Sequence, residues 1–157
     1  MTTFDFNDGN GPVPAHQHPN GGGWVADTAS VEETAYVGPN ARVYGDAEVY
    51  GNSWVLGYAE VGGLAMVYGD AVVHDNARVY GNAEVYANSW VYDSAMVYGN
   101  AKVYDNARVY GNAEVYGNSW VYDSAMVYGN AKVHSAMVYG NAKVHGDSRV
   151  FGYTESM

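Results

Sequence analysis

The sequence predicts an all-β fold, a three-faced parallel β-solenoid of about seven 18-residue coils. Three observations predict it. Val occupies position 25 and every sixth position up to 133. The residues around it repeat as A-x-V-Y-G-N, as in residues 77–82. The large aliphatics of an ordinary core are missing: Leu56 and Leu64 are the only Leu, and there is no Ile. A period of six matches neither helix nor coiled coil. Val, Tyr, Gly and Asn are also poor helix formers.

Each part of the hexad has its own role. Side chains alternate along a strand, so Ala and Val point to one side, while the residue between them and the following Tyr point to the other. Val and Ala therefore build a narrow core, and Tyr coats the outside. Gly-Asn supplies a corner, because Gly removes steric limits and Asn tolerates left-handed backbone angles. Three strand-and-corner units close one coil of 18 residues. Coils then stack as parallel sheets about 4.8 Å apart. One interval is short: Val133 is followed by Val138, and the beat resumes at Val144 and Val150. A local kink is expected there.

The pattern divides the chain into an N-terminal arm or cap at 1–23, a repeat body at 24–152 and a tail at 153–157. The first segment is rich in Gly, Pro, Asn and His. It reads as an arm that folds over the first coil or lies on a neighbour. It has neither the basic region nor the apolar core of a secretory signal peptide. An extracellular, cell-surface or virion-surface setting is favoured over the cytoplasm.

Residues 18 apart share a column. One face aligns Tyr50, Tyr68, Tyr86, Tyr104, Tyr122 and, after the short interval, Tyr139. A second aligns Tyr80, Tyr98 and Tyr116, with Tyr44 below across Gly62. The third aligns Tyr92, Tyr110 and Tyr128 between His74 and His145. The slot before Val alternates in charge on one face, as in Arg42, Glu60 and Arg78, which suggests neutralisation along the stack. A block at 77–106 returns from 107, with Ala87 replaced by Gly117 in its first 27 residues. Thirty residues are five hexads, not a multiple of three, so the second copy lands on different faces. Such a duplication scrambles any ligand array and fits a requirement common to all faces.

The motif resembles the bacterial transferase hexapeptide repeat, [LIV]-[GAED]-x-x-[STAV]-x. It is present as V-Y-G-N-A-E at 79–84 and V-G-P-N-A-R at 37–42, and the resemblance spans residues 24–151. The stretch HPNGGGWVADTA at 18–29 looks like the opening of uncharacterised members of that group. The resemblance implies a left-handed parallel β-helix. The chain departs from it by placing Tyr where the family often has a small residue. A bactofilin-like right-handed helix is the alternative fold.

Composition excludes several functions. The net charge is −10, from 17 acidic and 7 basic residues, which disfavours nucleic acid or an anionic membrane as partner. The absence of Cys removes disulfides and thiol chemistry. No run is long and apolar enough for a membrane span. No phosphate loop, nucleophile elbow or EF-hand loop is present. His74 and His145 are four coils apart, and His16 and His18 lack an evident third ligand. No catalytic residue, metal or cofactor is expected. The expected function is a non-catalytic structural solenoid that associates with itself, end to end into filaments. The candidate contact residues are the column Tyr50, Tyr68, Tyr86, Tyr104, Tyr122 and Tyr139, the pattern breaks Leu56, Tyr58 and Leu64, and Trp24 and Phe151 near the ends. Alternatives are a trimeric spike or fibre, a module binding a polysaccharide or another protein, and a hexapeptide acyltransferase.

Overall fold

The computed structural model describes residues 2–152 and 154–156. The chain begins with an antiparallel hairpin, β1 (Thr3–Asp5) and β2 (Pro12–Gln17). Three short strands then open three sheets: β3 (Trp24–Ala26), β4 (Ser30–Val31) and β5 (Tyr36–Val37). Thereafter every hexad valine carries one strand of two or three residues, from β6 (Arg42–Val43) to β21 (Lys132–His134). The last four are β22 (Met137–Tyr139), β23 (Lys143–Val144), β24 (Arg149–Phe151) and β25 (Thr154–Ser156). Every third strand pairs in parallel with the one a coil above. The first sheet runs from β3 to β24 and is extended by β2 and β1. The second runs from β4 to β25 and the third from β5 to β23. The result is a β-solenoid of about seven coils. This pairing order is common to both coil senses, and the left-handed sense remains what the motif implies.

The core is the predicted column of Val and Ala. Every hexad valine from Val37 to Val138 is fully buried, with a buried Ala or Ser two residues before it. Burying one Val side chain contributes roughly 1.5–3 kcal/mol, and the solenoid repeats that gain at each hexad. Ser53, Ser89 and Ser119 replace Ala in the core. Each hydroxyl donates to the carbonyl three residues back, at 2.8, 2.7 and 2.7 Å, so no buried donor is left orphaned.

The corners differ in one respect from the expectation. The positive φ falls on the residue after Tyr, not on Asn. Gly usually takes it, as at Gly99 (φ 68). Asp75, Asp93, Asp105 and Asp123 take it where Gly is replaced, as do Ala87 (φ 58) and Ser135 (φ 52). Asp tolerates this region because its carboxylate bonds the backbone nearby. Asp93 Oδ2 accepts the Gly111 N–H at 3.0 Å, one coil on. The short corner between Val133 and Val138 omits the Asn slot. The ladder continues through it, with Val121 opposite Val138. Two hydroxyls help: Ser135 Oγ accepts the Asn118 N–H and Ser119 Oγ accepts the Ala136 N–H, both at 3.3 Å.

The N-terminal segment folds over the chain's own first coil. β2 pairs antiparallel with β3 and continues the first sheet. Phe6 is buried, its ring centroid 5.5 Å from that of Tyr44. The run Gly21–Gly22–Gly23 crosses the third sheet, where Val37 N–H donates to Asn20 O and Gly23 N–H to Val37 O. A Cβ on Gly21 or Gly23 would collide with the carbonyls of Val37 and Gly38, which explains the run. Of the predicted tail, residues 153 and 157 lie outside the described residues. Thr154–Ser156 pairs in parallel with β22.

The corner chemistry yields a test. Gly99→Ala should destabilise by about 1–2 kcal/mol, the cost of a left-handed Cβ, with further crowding because that Cβ meets Gly117 N at 2.8 Å. Gly99→Asp should cost less, since a carboxylate there can accept the N–H one coil on. Urea unfolding of the two variants beside the parent measures the difference.

Candidate functional site

The outward Tyr slots form three columns of rings. On the second sheet Tyr50, Tyr68, Tyr86, Tyr104 and Tyr122 stack with centroids 4.8, 4.7, 5.0 and 5.0 Å apart and planes within 4° of parallel. Tyr139 completes the column at 5.4 Å. On the first sheet Tyr80, Tyr98, Tyr116 and His134 stack at 4.9, 5.1 and 4.7 Å. On the third, His74, Tyr92, Tyr110, Tyr128 and His145 do the same at 4.9, 4.9, 4.9 and 5.3 Å. The spacing is that of the ladder, so the backbone sets the stack and each ring supports its neighbours. The inner rings spend their faces on one another and offer solvent only edges and hydroxyls.

The slot before Val supplies partners one coil above. Tyr68 Oη donates to Glu84 and Tyr98 Oη to Glu114, both at 2.9 Å, and Tyr44 Oη to Glu60 at 3.4 Å. The same carboxylates lie 3.7 Å from Lys102, 3.7 Å from Lys132 and 3.9 Å from Arg78. Such exposed pairs contribute 0–1 kcal/mol each. Their effect is to balance charge along each column. Burial raises the Tyr44 phenol to about 12, with help from the Glu60 carboxylate. Burial also raises Tyr104 to about 12, with Tyr86 and Tyr122 adding to it. Tyr68 and Tyr98 are raised by burial and then by their hydrogen bonds to Glu84 and Glu114.

The pattern breaks Leu56, Tyr58 and Leu64 line three separate hollows. Leu56 lines a hollow on the third sheet with Trp54 and Val72. Tyr58 faces a different groove, beside Asn40 and Arg42. Leu64 lines another with Glu48 and Met66. Tyr58 and Leu64 are among the most exposed large apolar residues, at 65% and 55%. Trp24 is half-buried beneath Phe4, stacked at 4.8 Å. Phe151 is exposed on β24, opposite His134.

The His residues are dispersed. His16 Nδ1 lies 2.7 Å from Asp27 Oδ1. His18 is buried, and its Nε2 donates to Ala35 O at 2.8 Å. The pair therefore belongs to the cap, each member with its own partner. No group of three potential metal ligands occurs among the described residues. Among them, too, no helix is long and apolar enough to cross a membrane.

The hollow on the third sheet was not legible as a site. Its floor is Val72, with Trp54 and Trp90 opposite it on the coils below and above. Leu56 and His74 close one side, Asn52 and Asp70 the other, around about 510 Å³. The sequence shows that Trp54 and Trp90 share a face. The missed signal is the doublet Val72–Val73, which puts a small residue where this column otherwise carries Tyr, Trp, Arg, Met or Lys.

These features define a β-solenoid repeat protein with aromatic columns. A family model described as YdcK beta solenoid repeat matches residues 41–57, 77–93, 101–117 and 107–123. The last two windows overlap with an offset of one hexad, so the repeat satisfies the model in more than one phase. The chain is similar to that repeat, which supports a β-helix repeat protein. The match does not extend to the bacterial transferase hexapeptide family. Comparison with curated proteins and with solved structures gives no match.

Two outcomes follow for the columns. Tyr86→Ser removes a ring held between two others and should cost about 1–2 kcal/mol, whereas Tyr86→Phe keeps most of that stability; thermal melts of both variants separate stacking from hydroxyl effects. A raised Tyr pKa means the folded state holds the neutral phenol. That stability is fully present below the ordinary value of 10.0 and is lost as pH rises towards about 12. The melting temperature should fall across that window, and phenolate absorbance should lag behind that of the chain in denaturant.

Proposed function

We propose that this chain is a non-catalytic structural β-solenoid that associates with copies of itself end to end. One observation carries the reading: among the described residues the sheets stop at β23, β24 and β25, each paired on one side only, with Phe151 57% exposed on β24. Unpaired edges with an exposed aromatic invite strand addition. A second copy can continue the ladders and the ring columns there without any change in the repeat.

The other end favours controlled growth. The hairpin and Gly21–Gly23 occupy the first and third sheets, while β4 keeps a free edge with Val31 half-buried. The cap then limits association to the far end until it is displaced, and displacement allows filaments. Lateral contacts between rods use Tyr edges and hydroxyls together with the exposed Trp120. The non-catalytic part of the proposal rests on the His placements. His74, His134 and His145 each lie flat on a Tyr ring, and no two share a site.

A concentration series by light scattering and electron microscopy tests this. The parent should associate with rising concentration. Phe151→Asp should shift the midpoint to at least about tenfold higher concentration, equivalent to roughly 1.4 kcal/mol. Phe6→Asp, which releases the hairpin, should lengthen the particles. A parent that stays monomeric at high concentration, with Phe6→Asp also monomeric, overturns the proposal.

A further inference from the structure

The hollow over Val72 has a physical origin that sets it apart from the rest of the surface. Before each valine of the third sheet the outward residues run Tyr36, Trp54, Val72, Trp90, Arg108, Met126. Val72 is the smallest. It leaves a gap between two indoles set two coils apart, about 10 Å along the axis. Trp54 and Trp90 are 51% and 41% exposed. They line the hollow without closing it, and among the described residues its lining runs only from Asn52 to Trp90.

Trp90 is also held in an unusual attitude. Its ring lies at 84° to that of His74 and 79° to that of Tyr92. The Tyr rings lie parallel to one another along their columns, whereas the Trp90 ring stands across that stacking direction. The Arg108 guanidinium sits 5.4 Å from the ring centroid and steadies it from one side. The rim is polar. Among the described residues, no protein group hydrogen-bonds the side chains of Asn52 or Asp70, and His74 Nδ1 lies 3.3 Å from Asp75.

We infer that this hollow binds a neutral β-linked pyranose oligosaccharide lying along the solenoid axis. A pyranose with equatorial substituents divides its surface as the hollow does. Its C–H faces are apolar and pack on indole, and its hydroxyls ring the edge, where a carboxylate, an amide and an imidazole meet them. The volume falls in the range of small-ligand sites. The charge of −10 and the Asp70 carboxylate reject polyanionic glycans. The site lies on the side of the early coils, away from β23 and β24, and does not depend on end-to-end association.

The test uses the full chain with cellopentaose and chitopentaose, followed by calorimetry and Trp fluorescence, with maltopentaose and polygalacturonate as contrasts. At least one of the first two should bind, more tightly than either contrast. Val72→Lys fills the hollow at a slot that holds Lys102 and Lys132 on other coils, so the fold should tolerate it; it should weaken binding at least tenfold. Trp90→Ala should do the same, and Trp120→Ala, on the second sheet, should leave binding unchanged. Each variant is checked by circular dichroism. Absence of binding to both β-linked probes overturns the inference, as does binding that survives Val72→Lys and Trp90→Ala. A parent that binds neither sugar but dimerises in a manner abolished by Val72→Lys also overturns it, and assigns the face to a second copy.

Discussion

Each residue of the solenoid lies one ladder spacing from its counterpart a coil away, and the rest of the structure depends on that constraint. At about 4.8 Å, inward slots leave room for Val and Ala and little else. Outward slots bring like residues into contact. A Tyr beneath a Tyr becomes a stacked pair, and a Glu beneath a Lys becomes an ion pair. Corners obey the same constraint. A Cβ at most corner glycines would approach the backbone of the next corner to about 3 Å, which restricts that slot to Gly and a few residues able to adopt a positive φ.

The constraint separates support from recognition. Tyr is the most abundant aromatic, yet its columns consume their own faces. Open apolar surface falls instead to positions where the regular pattern is interrupted. Val72 opens a hollow, Gly62 leaves room for the Tyr44 ring, and Phe151 stands on a terminal strand. The 30-residue duplication is harmless to such a rod, because every hexad meets the same inward and corner requirements whichever face it lands on. A rotated copy of the outward row, however, cannot extend a hollow. Trp120 occupies the block position of Trp90 but lies on the second sheet, beside Lys102 at 5.4 Å.

Much of this was legible in the sequence. The valine beat specified the core, the 18-residue coil and the three Tyr columns, including His74 and His145 at the ends of one. The charge alternation before Val foretold the Glu60–Arg78 pair. Other features were not legible. Leu56, Tyr58 and Leu64 are close in sequence, yet each lines a different hollow, which nearness along the chain does not reveal. The first segment was read as an arm or cap, over the first coil or on a neighbour, and nothing local reveals that Phe4 stacks on Trp24 and Phe6 on Tyr44.

The sequence by itself determined the period, the inward residues and the vertical neighbours, because a six-residue strand-and-corner unit repeats the same local geometry and three such units close a coil. Only the tertiary structure decided what lies across a coil or at its end. The seating of the hairpin, the burial of His18 against Ala35 and the turn of Trp90 away from the Tyr stack all join residues outside the hexad register. Side-chain packing in three dimensions settles those contacts, and a one-dimensional period carries no information about them.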